Sequence, residues 1–166
     1  MKLLYVEDTY AEEALKMLVE KLKEMNIIER GMKVVVKFIP GLCSTKFERV
    51  LKAASEEYEK VIILIDGHGD PDGAKKREEE HLPREEKLRE KIVIVVNRYE
   101  IEEWILYAKG IPQDPAPSKK LWEITRGNYT KRNLPREIEK ILRNEDELKK
   151  LLSYSVLQIL LRALTS

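Results

Sequence analysis

The stretch VIILIDGHGDPDG, Val61–Gly73, decides how the rest of the chain is interpreted. Five apolar residues lead into Asp66, and three glycines and three aspartates occupy six of the eight positions 66–73. Short runs rich in valine and isoleucine, without polar alternation, are typical of strands buried on both faces of a parallel sheet. Glycines let the following loop turn tightly and bring its backbone close to a ligand. We therefore predict a buried strand that ends in an acidic loop.

Similar apolar runs recur at Leu3–Val6, Val34–Ile39 and Ile92–Val96. The connections after the first two runs have helical spacing of their apolar residues. Thr9–Glu12 and Thr45–Glu48 each have the S/T-x-x-E pattern of a capping box, which predicts that helices begin there. Strand and helix thus alternate over the first hundred or so residues. This order indicates an α/β layer with right-handed crossovers.

After the fourth run the pattern becomes mainly helical. The last segment, YSVLQILLRAL at Tyr154–Leu164, is apolar nearly all round, which predicts a helix buried against the rest of the protein. We predict a single domain over 1–166, with an α/β core over 1–110 and a helical C-terminal extension over 111–166. The core is predicted to hold a four-stranded, mainly parallel sheet.

The composition excludes several classes of protein. Apolar residues make up 43% of the chain, which is typical of a globular protein, and no apolar run reaches the roughly 18 residues that a membrane span needs. The net charge of +1 argues against a protein that coats nucleic acid unspecifically. Cys43 is the single cysteine, so no internal disulfide is expected, and we predict a cytoplasmic protein. The 37% charged residues and two glutamines are typical of hyperthermophiles.

Ionisable side chains follow three of the four predicted strands. They are Glu7 and Asp8 after the first, Asp66, His68, Asp70 and Asp72 after the third, and Arg98, Glu100, Glu102 and Glu103 after the fourth. Function in an open parallel sheet collects beyond the carboxyl ends of the strands. Acids that converge there repel one another unless a cation such as Mg²⁺ neutralises them. The glycine-rich loop is therefore predicted to hold a metal ion; the alternative is a polar loop whose aspartate caps the next helix.

Two short motifs support a family resemblance. The pair YVED at Tyr5–Asp8 and IDGHGD at Ile65–Asp70 resembles the Toprim domain of topoisomerases, primases, recombination proteins and certain nucleases. The chain is also similar to small stand-alone Toprim-related proteins that carry E-x-E-x-W-[LI]-L after the fourth strand. Here that motif is EIEEWIL, Glu100–Leu106, and the closing helix resembles theirs as well. The resemblance spans nearly the whole chain and implies a Toprim-like or Rossmann-like three-layer fold.

The resemblance implies roles for individual residues. Glu7 matches the glutamate proposed in the family as general acid/base of phosphodiester chemistry, and Asp66 matches the first aspartate of its metal-binding Asp-x-Asp pair. Position 68 should be the second aspartate and is His68. Histidine suits Mn²⁺ or Zn²⁺ better than Mg²⁺. Asp70 can substitute for the missing aspartate, and we favour Asp66 with Asp70 as the metal-binding pair.

Further side chains complete the expected site. Glu102 matches the glutamate two residues before the motif's tryptophan and flanks the apolar stripe of a helical projection, so it is predicted to complete the metal shell. Glu103 points away from that stripe in the same projection and is predicted to be solvated. Trp104 is predicted to lie in the core. Lys131 is a candidate phosphate-binding residue.

Three functions fit these observations. The first is a nuclease or related phosphotransfer enzyme that uses Mg²⁺ or Mn²⁺ and acts on nucleic acid. The second is a Toprim-shaped module without chemistry that binds a protein partner, within a defence or repair system, or its own copies. The third is a receiver-like domain in which Asp66 accepts a phosphoryl group. That third function needs a lysine after the last strand, where the chain has Asn97 and Arg98.

Overall fold

A computed structural model describes residues 1–39 and 45–166, with only the backbone described at Thr45; Cys43 lies outside these residues. The strands are β1 (Lys2–Val6), β2 (Val34–Phe38), β3 (Lys60–Asp66) and β4 (Ile92–Asn97). The helices are α1 (Thr9–Glu24), α2 (Thr45–Glu57), α3 (Pro71–Glu79), α4 (Glu86–Arg89), α5 (Glu103–Ala108), α6 (Pro117–Ile124), α7 (Leu134–Arg143), α8 (Glu145–Leu152) and α9 (Ser155–Thr165), with a short 3₁₀ helix at Lys131–Asn133. The predicted α/β fold is confirmed.

The four strands form one parallel sheet in the order β2-β1-β3-β4. From β1 the chain moves outward to β2, and it then crosses back over β1 to reach β3. The strand order therefore reverses between β1 and β3. In open parallel sheets a crevice forms at this point, beyond the carboxyl ends of the strands, and it is the usual place for a binding site.

Helices cover both faces of the sheet and give a three-layer arrangement. One face of β1 packs with α1 and with the helices that follow β4, and its other face packs with α2 and α3. Successive residues of β1 divide between the two cores: Leu4 belongs to the first core and Leu3 to the second, both almost fully buried. This double burial explains why the central strands have continuous apolar runs.

The helical extension packs on the same face of the sheet as α1. Helix α7 lies against α1, α8 lies against α5, and α9 lies beside β4. Most apolar side chains of α9 are buried, as its sequence predicted, among them Leu157, Leu160 and Leu164. Ile159 on the same helix is exposed, so the helix is not buried all round. The buried ammonium group of Lys2 donates to the backbone carbonyl of Leu164. A cation at a helix C-terminus is favoured by the helix dipole, so this contact joins β1 to the end of α9.

The first predicted capping box is wrong by one residue. Asp8, and not Thr9, is the N-cap of α1, because the Oδ1 atom of Asp8 accepts a hydrogen bond of 2.7 Å from the backbone N–H of Ala11. The second predicted box depends on the Thr45 side chain, which lies outside the described part. Within the described ranges, no helix combines the length and apolar character needed to cross a membrane.

Candidate functional site

Two of the predicted site residues meet where the strand order reverses. Glu7 directly follows β1, and Asp66 is the last residue of the neighbouring strand β3. The Oε2 atom of Glu7 accepts a hydrogen bond of 3.1 Å from the backbone N–H of Asp66. The parallel pairing of β1 and β3 therefore brings the two carboxyl groups together across 59 positions of sequence.

Burial makes this carboxyl pair reluctant to carry two negative charges. Burial is the main cause that raises the pKa of Asp66 to about 8, and the charge of Glu7 and a hydrogen bond to it add to the effect. Burial also raises the pKa of Glu7, although its hydrogen bonds to Asp66 act in the opposite direction. Like charges held close together behave in this way when no cation neutralises them. The raised pKa of Asp66 therefore favours a proton on this carboxyl group at neutral pH when no cation is bound.

A buried amide lies against Asp66 on its other side. Asn97 ends β4 directly opposite Asp66 in the sheet, and its Nδ2 atom donates to the Oδ1 atom of Asp66 over 3.4 Å. The indole N–H of Trp104 donates to the Oδ1 atom of Asn97 over 2.7 Å. Both Asn97 and Trp104 are 1% exposed. The indole therefore determines which end of the Asn97 amide faces the aspartate.

A lysine from the helical extension enters the acidic region. The Nζ atom of Lys131 lies 2.9 Å from Oε1 of Glu102 and 3.5 Å from Oδ2 of Asp8. The Tyr129 hydroxyl donates to Oε2 of Glu102 over 3.1 Å, so both oxygens of this fully buried carboxylate have partners. The charge of Lys131 also acts on Asp66. Lys131 thus supplies the positive charge that acids at this edge require.

Burial has the largest effect on the pKa values of Glu102 and Lys131, and the attraction between the two groups has the next largest. Burial raises the pKa of Glu102, and Lys131 opposes that rise. Burial alone would lower the pKa of Lys131, but the ion pair with Glu102 and the charges of Asp8 and Asp66 raise it above its usual value. Lys131 therefore stays charged at neutral pH. Its predicted contact with a phosphate stays a prediction.

The predicted exposure of Glu103 is wrong, because this side chain is fully buried. Its carboxylate accepts backbone N–H bonds from Arg98, Tyr99 and Glu100 at 3.2, 2.7 and 3.1 Å, and the hydroxyl of Tyr154 also donates to it. The helical projection failed because α5 begins only at Glu103, while the preceding residues form a turn that folds back over this side chain. Glu103 thus holds the turn after β4.

The loop after β3 is organised by its neighbour and by a helix cap. The backbone N–H of His68 donates to the Tyr99 carbonyl, and that of Gly69 donates to the Arg98 carbonyl, at 3.1 and 2.8 Å. Asp70 is the N-cap of α3. His68 has a φ of +48°, and its side chain is exposed. The alternative prediction of a loop whose aspartate caps the next helix is therefore confirmed for Asp70.

At two positions in this loop, only glycine avoids a steric clash. A Cβ at Gly67 would lie 2.4 Å from the backbone oxygen of Asn97, and a Cβ at Gly73 would lie 2.1 Å from Oδ2 of Asp70, whose Oδ1 caps α3. Because Gly67 has no Cβ, the loop after β3 can pack against the end of β4. Because Gly73 has no Cβ, the Asp70 side chain has room to cap α3. Both positions are thus explained by close packing within the loop.

The space beside the acid pair is small. A cavity of about 10 Å³, counted as room for the centre of a water molecule, is lined on its polar side by Glu7, Asp8, Asp66 and Asn97. This volume admits about one water molecule or ion. In residues 1–39 and 45–166, no three carboxylate or histidine side chains come together so that they could hold a metal ion.

The predicted ligand set of Asp66, Asp70, Glu102 and His68 therefore stays a prediction. The oxygen atoms of Glu7 and Asp66 are hard donors of the kind that Mg²⁺ and Mn²⁺ prefer. Two carboxylates are enough for Mg²⁺ when waters and substrate phosphates supply the other ligands. The pair thus fits a divalent ion in the chemistry of its donors.

Sequence reasoning missed three contributors to the site. From the sequence, Asn97 receives no role beyond standing where a receiver-like domain needs a lysine, Tyr129 receives no role, and Trp104 is placed in the core without a role for its N–H. One signal was available for Asn97, since it is a polar residue that directly continues a buried apolar strand. Tyr129 belongs to a segment whose sequence gives no sign that it reaches the sheet.

Comparisons of the chain with family models, with curated proteins and with solved structures found no match. The fold and the site define a three-layer α/β protein with a half-buried carboxyl pair where the strand order reverses. The Toprim resemblance rests on the short motifs in the sequence and stays a prediction.

Proposed function

We propose that this protein performs metal-dependent phosphodiester chemistry on nucleic acid, as a Toprim-type nuclease of the cytoplasm. The observation that carries the proposal is the contact between Glu7 and Asp66 where the strand order reverses. Two adjacent, half-buried carboxyl groups whose pKa values burial raises mark a candidate functional site. A divalent cation would replace the proton that the pair holds.

Asp66 would bind Mg²⁺ or Mn²⁺, with Glu7 beside it. A bound ion of this kind polarises a phosphoryl oxygen and stabilises the charge that develops during phosphodiester cleavage. The raised pKa of Glu7 brings this carboxyl group closer to the pH at which a general acid or base works best. The net charge of +1 favours local contact with nucleic acid over broad coating of the backbone.

Lys131 would act on the substrate through its charge. Its ammonium group lies among Asp8, Glu102 and Asp66, and its side chain is 33% exposed. The two ion pairs keep the group charged and in place before any substrate arrives. A phosphate that enters this edge would find a cation already oriented, which lowers the cost of bringing its negative charge close to the carboxylates.

A direct test measures metal binding and cleavage together. Mn²⁺ and Mg²⁺ affinities are measured by calorimetry, and cleavage is assayed on single-stranded and duplex DNA and RNA, for the wild type, Glu7→Gln, Asp66→Asn and the control Asp146→Asn. Asp146 is exposed on α8. We expect metal-dependent cleavage that each site change lowers by at least about 100-fold and that the control retains. A folded protein that neither binds metal nor cleaves any of the four substrates would refute the proposal.

One observation favours a second candidate, the phospho-acceptor. The sequence has no lysine directly after β4, but the extension brings Lys131 close enough for its charge to act on Asp66. In that function a carboxylate oxygen of Asp66 attacks the phosphorus of a phosphodonor such as acetyl phosphate, and acetate leaves. Labelling of the wild type and of Asp146→Asn, but not of Asp66→Asn, would support it. Cleavage without labelling excludes it.

A further inference from the structure

The hydrogen bonds of Trp104 reach beyond the core that its ring fills. Its indole N–H donates to Asn97 over 2.7 Å, and Asn97 donates to Asp66 over 3.4 Å. Trp104 and Asn97 are each 1% exposed, so bulk water does not compete for these hydrogen bonds. A purely structural core position would be filled equally well by an aromatic ring without an N–H.

An asparagine amide can face Asp66 with either its NH₂ group or its oxygen. The NH₂ group stabilises a carboxylate, whereas the oxygen repels it. Because the indole N–H needs an acceptor, it binds the oxygen of Asn97 and leaves the NH₂ group directed at Asp66. The orientation of the amide is therefore determined by a residue seven positions further along the chain.

We propose that Trp104 is a positioning residue for Asp66: its indole N–H orients the Asn97 amide, and this amide orients the carboxyl group of Asp66. The inference rests on the proposed function in that Asp66 is there the metal-binding carboxylate. Groups that hydrogen-bond a metal-binding side chain commonly change metal affinity or activity by 10–100-fold when they are removed. Trp104→Phe, which keeps an aromatic ring and removes the N–H, is expected to weaken Mn²⁺ binding by about 10-fold.

A spectroscopic test follows the hydrogen bonds without requiring metal. The chain has two tryptophans, Trp104 and the exposed Trp122, so a ¹⁵N-labelled sample has two indole N–H signals. Trp122→Phe assigns them and serves as the matched control. We expect Asp66→Asn to shift the Trp104 signal and to leave the Trp122 signal in place. If the Trp104 signal does not respond to Asp66→Asn in a folded protein, the proposed relay is refuted.

A double-mutant cycle separates positioning from packing. If Trp104 acts through Asn97, adding Trp104→Phe to Asn97→Leu weakens Mn²⁺ binding no further than Asn97→Leu alone. A full additional 10-fold loss in the double variant would instead show that Trp104 acts by another route and would overturn the relay. Circular dichroism and the Trp122 signal check that each variant is folded.

The two proposals fail differently in these experiments. A Trp104 signal that responds to Asp66→Asn but not to Mg²⁺ in the wild type supports the relay and counts against metal chemistry. Mn²⁺ binding of unchanged strength in Trp104→Phe, together with metal-dependent cleavage by the wild type, supports the proposed function and overturns the positioning role.

Discussion

Replacing Asp66 by asparagine is expected to stabilise the metal-free protein at neutral and alkaline pH. The asparagine keeps an oxygen that can accept from Asn97, and its NH₂ group can donate to Glu7. It removes the charge that burial opposes. The folded-state pKa of Asp66 is about 8, well above the value of about 4 for an exposed aspartate. Since the folded state holds the proton more tightly, the wild type loses stability as the pH rises between about 4 and 8.

The size of the effect follows from this difference. Each unit of pKa difference corresponds to about 1.4 kcal/mol, so a difference of about four units sets an upper limit of about 5 kcal/mol. Water that reaches the partly exposed edge and relaxation of the pair reduce this limit, because effective dielectric constants near protein surfaces are high. We expect Asp66→Asn to gain about 2–3 kcal/mol over the wild type between pH 5 and pH 8.

The assay is urea unfolding followed by circular dichroism in EDTA at pH 5, 6, 7 and 8. The relevant quantity is the difference in unfolding free energy between Asp66→Asn and the wild type, in which effects of overall charge largely cancel. The unfolding free energy of the control Asp146→Asn should differ from that of the wild type by less than about 0.5 kcal/mol at each pH. Parallel pH profiles of the wild type and Asp66→Asn would refute the interpretation of the Glu7–Asp66 pair as a strained, proton-sharing site.

Three further changes test the rest of the site. Lys131→Met leaves the buried Glu102 without its cation and should lower the unfolding free energy by about 3–5 kcal/mol. As a control, Lys119→Met changes an exposed lysine and should alter the unfolding free energy by less than about 0.5 kcal/mol. Equal effects of the two changes would contradict a buried ion pair. Glu103→Gln weakens the acceptor for three backbone N–H groups and should cost about 1–3 kcal/mol, with faster hydrogen exchange of the turn after β4; unchanged exchange would count against its role. Gly67→Ala places a methyl group 2.4 Å from a β4 carbonyl and should cost about 1–3 kcal/mol in thermal unfolding, and a neutral result would mean that the loop can shift.

The acidic edge was predictable because it depends on local pattern and one general rule. Each apolar run became a strand with ends within one residue of the prediction, and the alternation with helical segments required parallel strands. Parallel strands place their carboxyl ends at one edge of the sheet. Glu7 directly follows β1 and Asp66 ends β3, so the two side chains come into contact if β1 and β3 are neighbours in the sheet.

The errors in the site came from side chains whose partners are distant in sequence. The sequence placed Glu102 toward the sheet edge and Glu103 toward solvent, but both are fully buried. Glu102 is paired with Lys131 and Glu103 with a backbone turn, and neither partner is indicated by periodicity. A helical projection reports which face of a helix is apolar; it does not report which buried acid will find a donor.

The sequence by itself determined the strands, the helices, the parallel sheet and the acids at the strand ends, because burial on one or both faces imposes a period on the residues nearest in sequence. Only the tertiary structure decided that the sheet order places β1 beside β3 and that Lys131 enters from the extension. It also decided that Trp104 holds the Asn97 amide. Buried polar groups must each find a partner, and which partner is within reach depends on how elements far apart in the chain pack together.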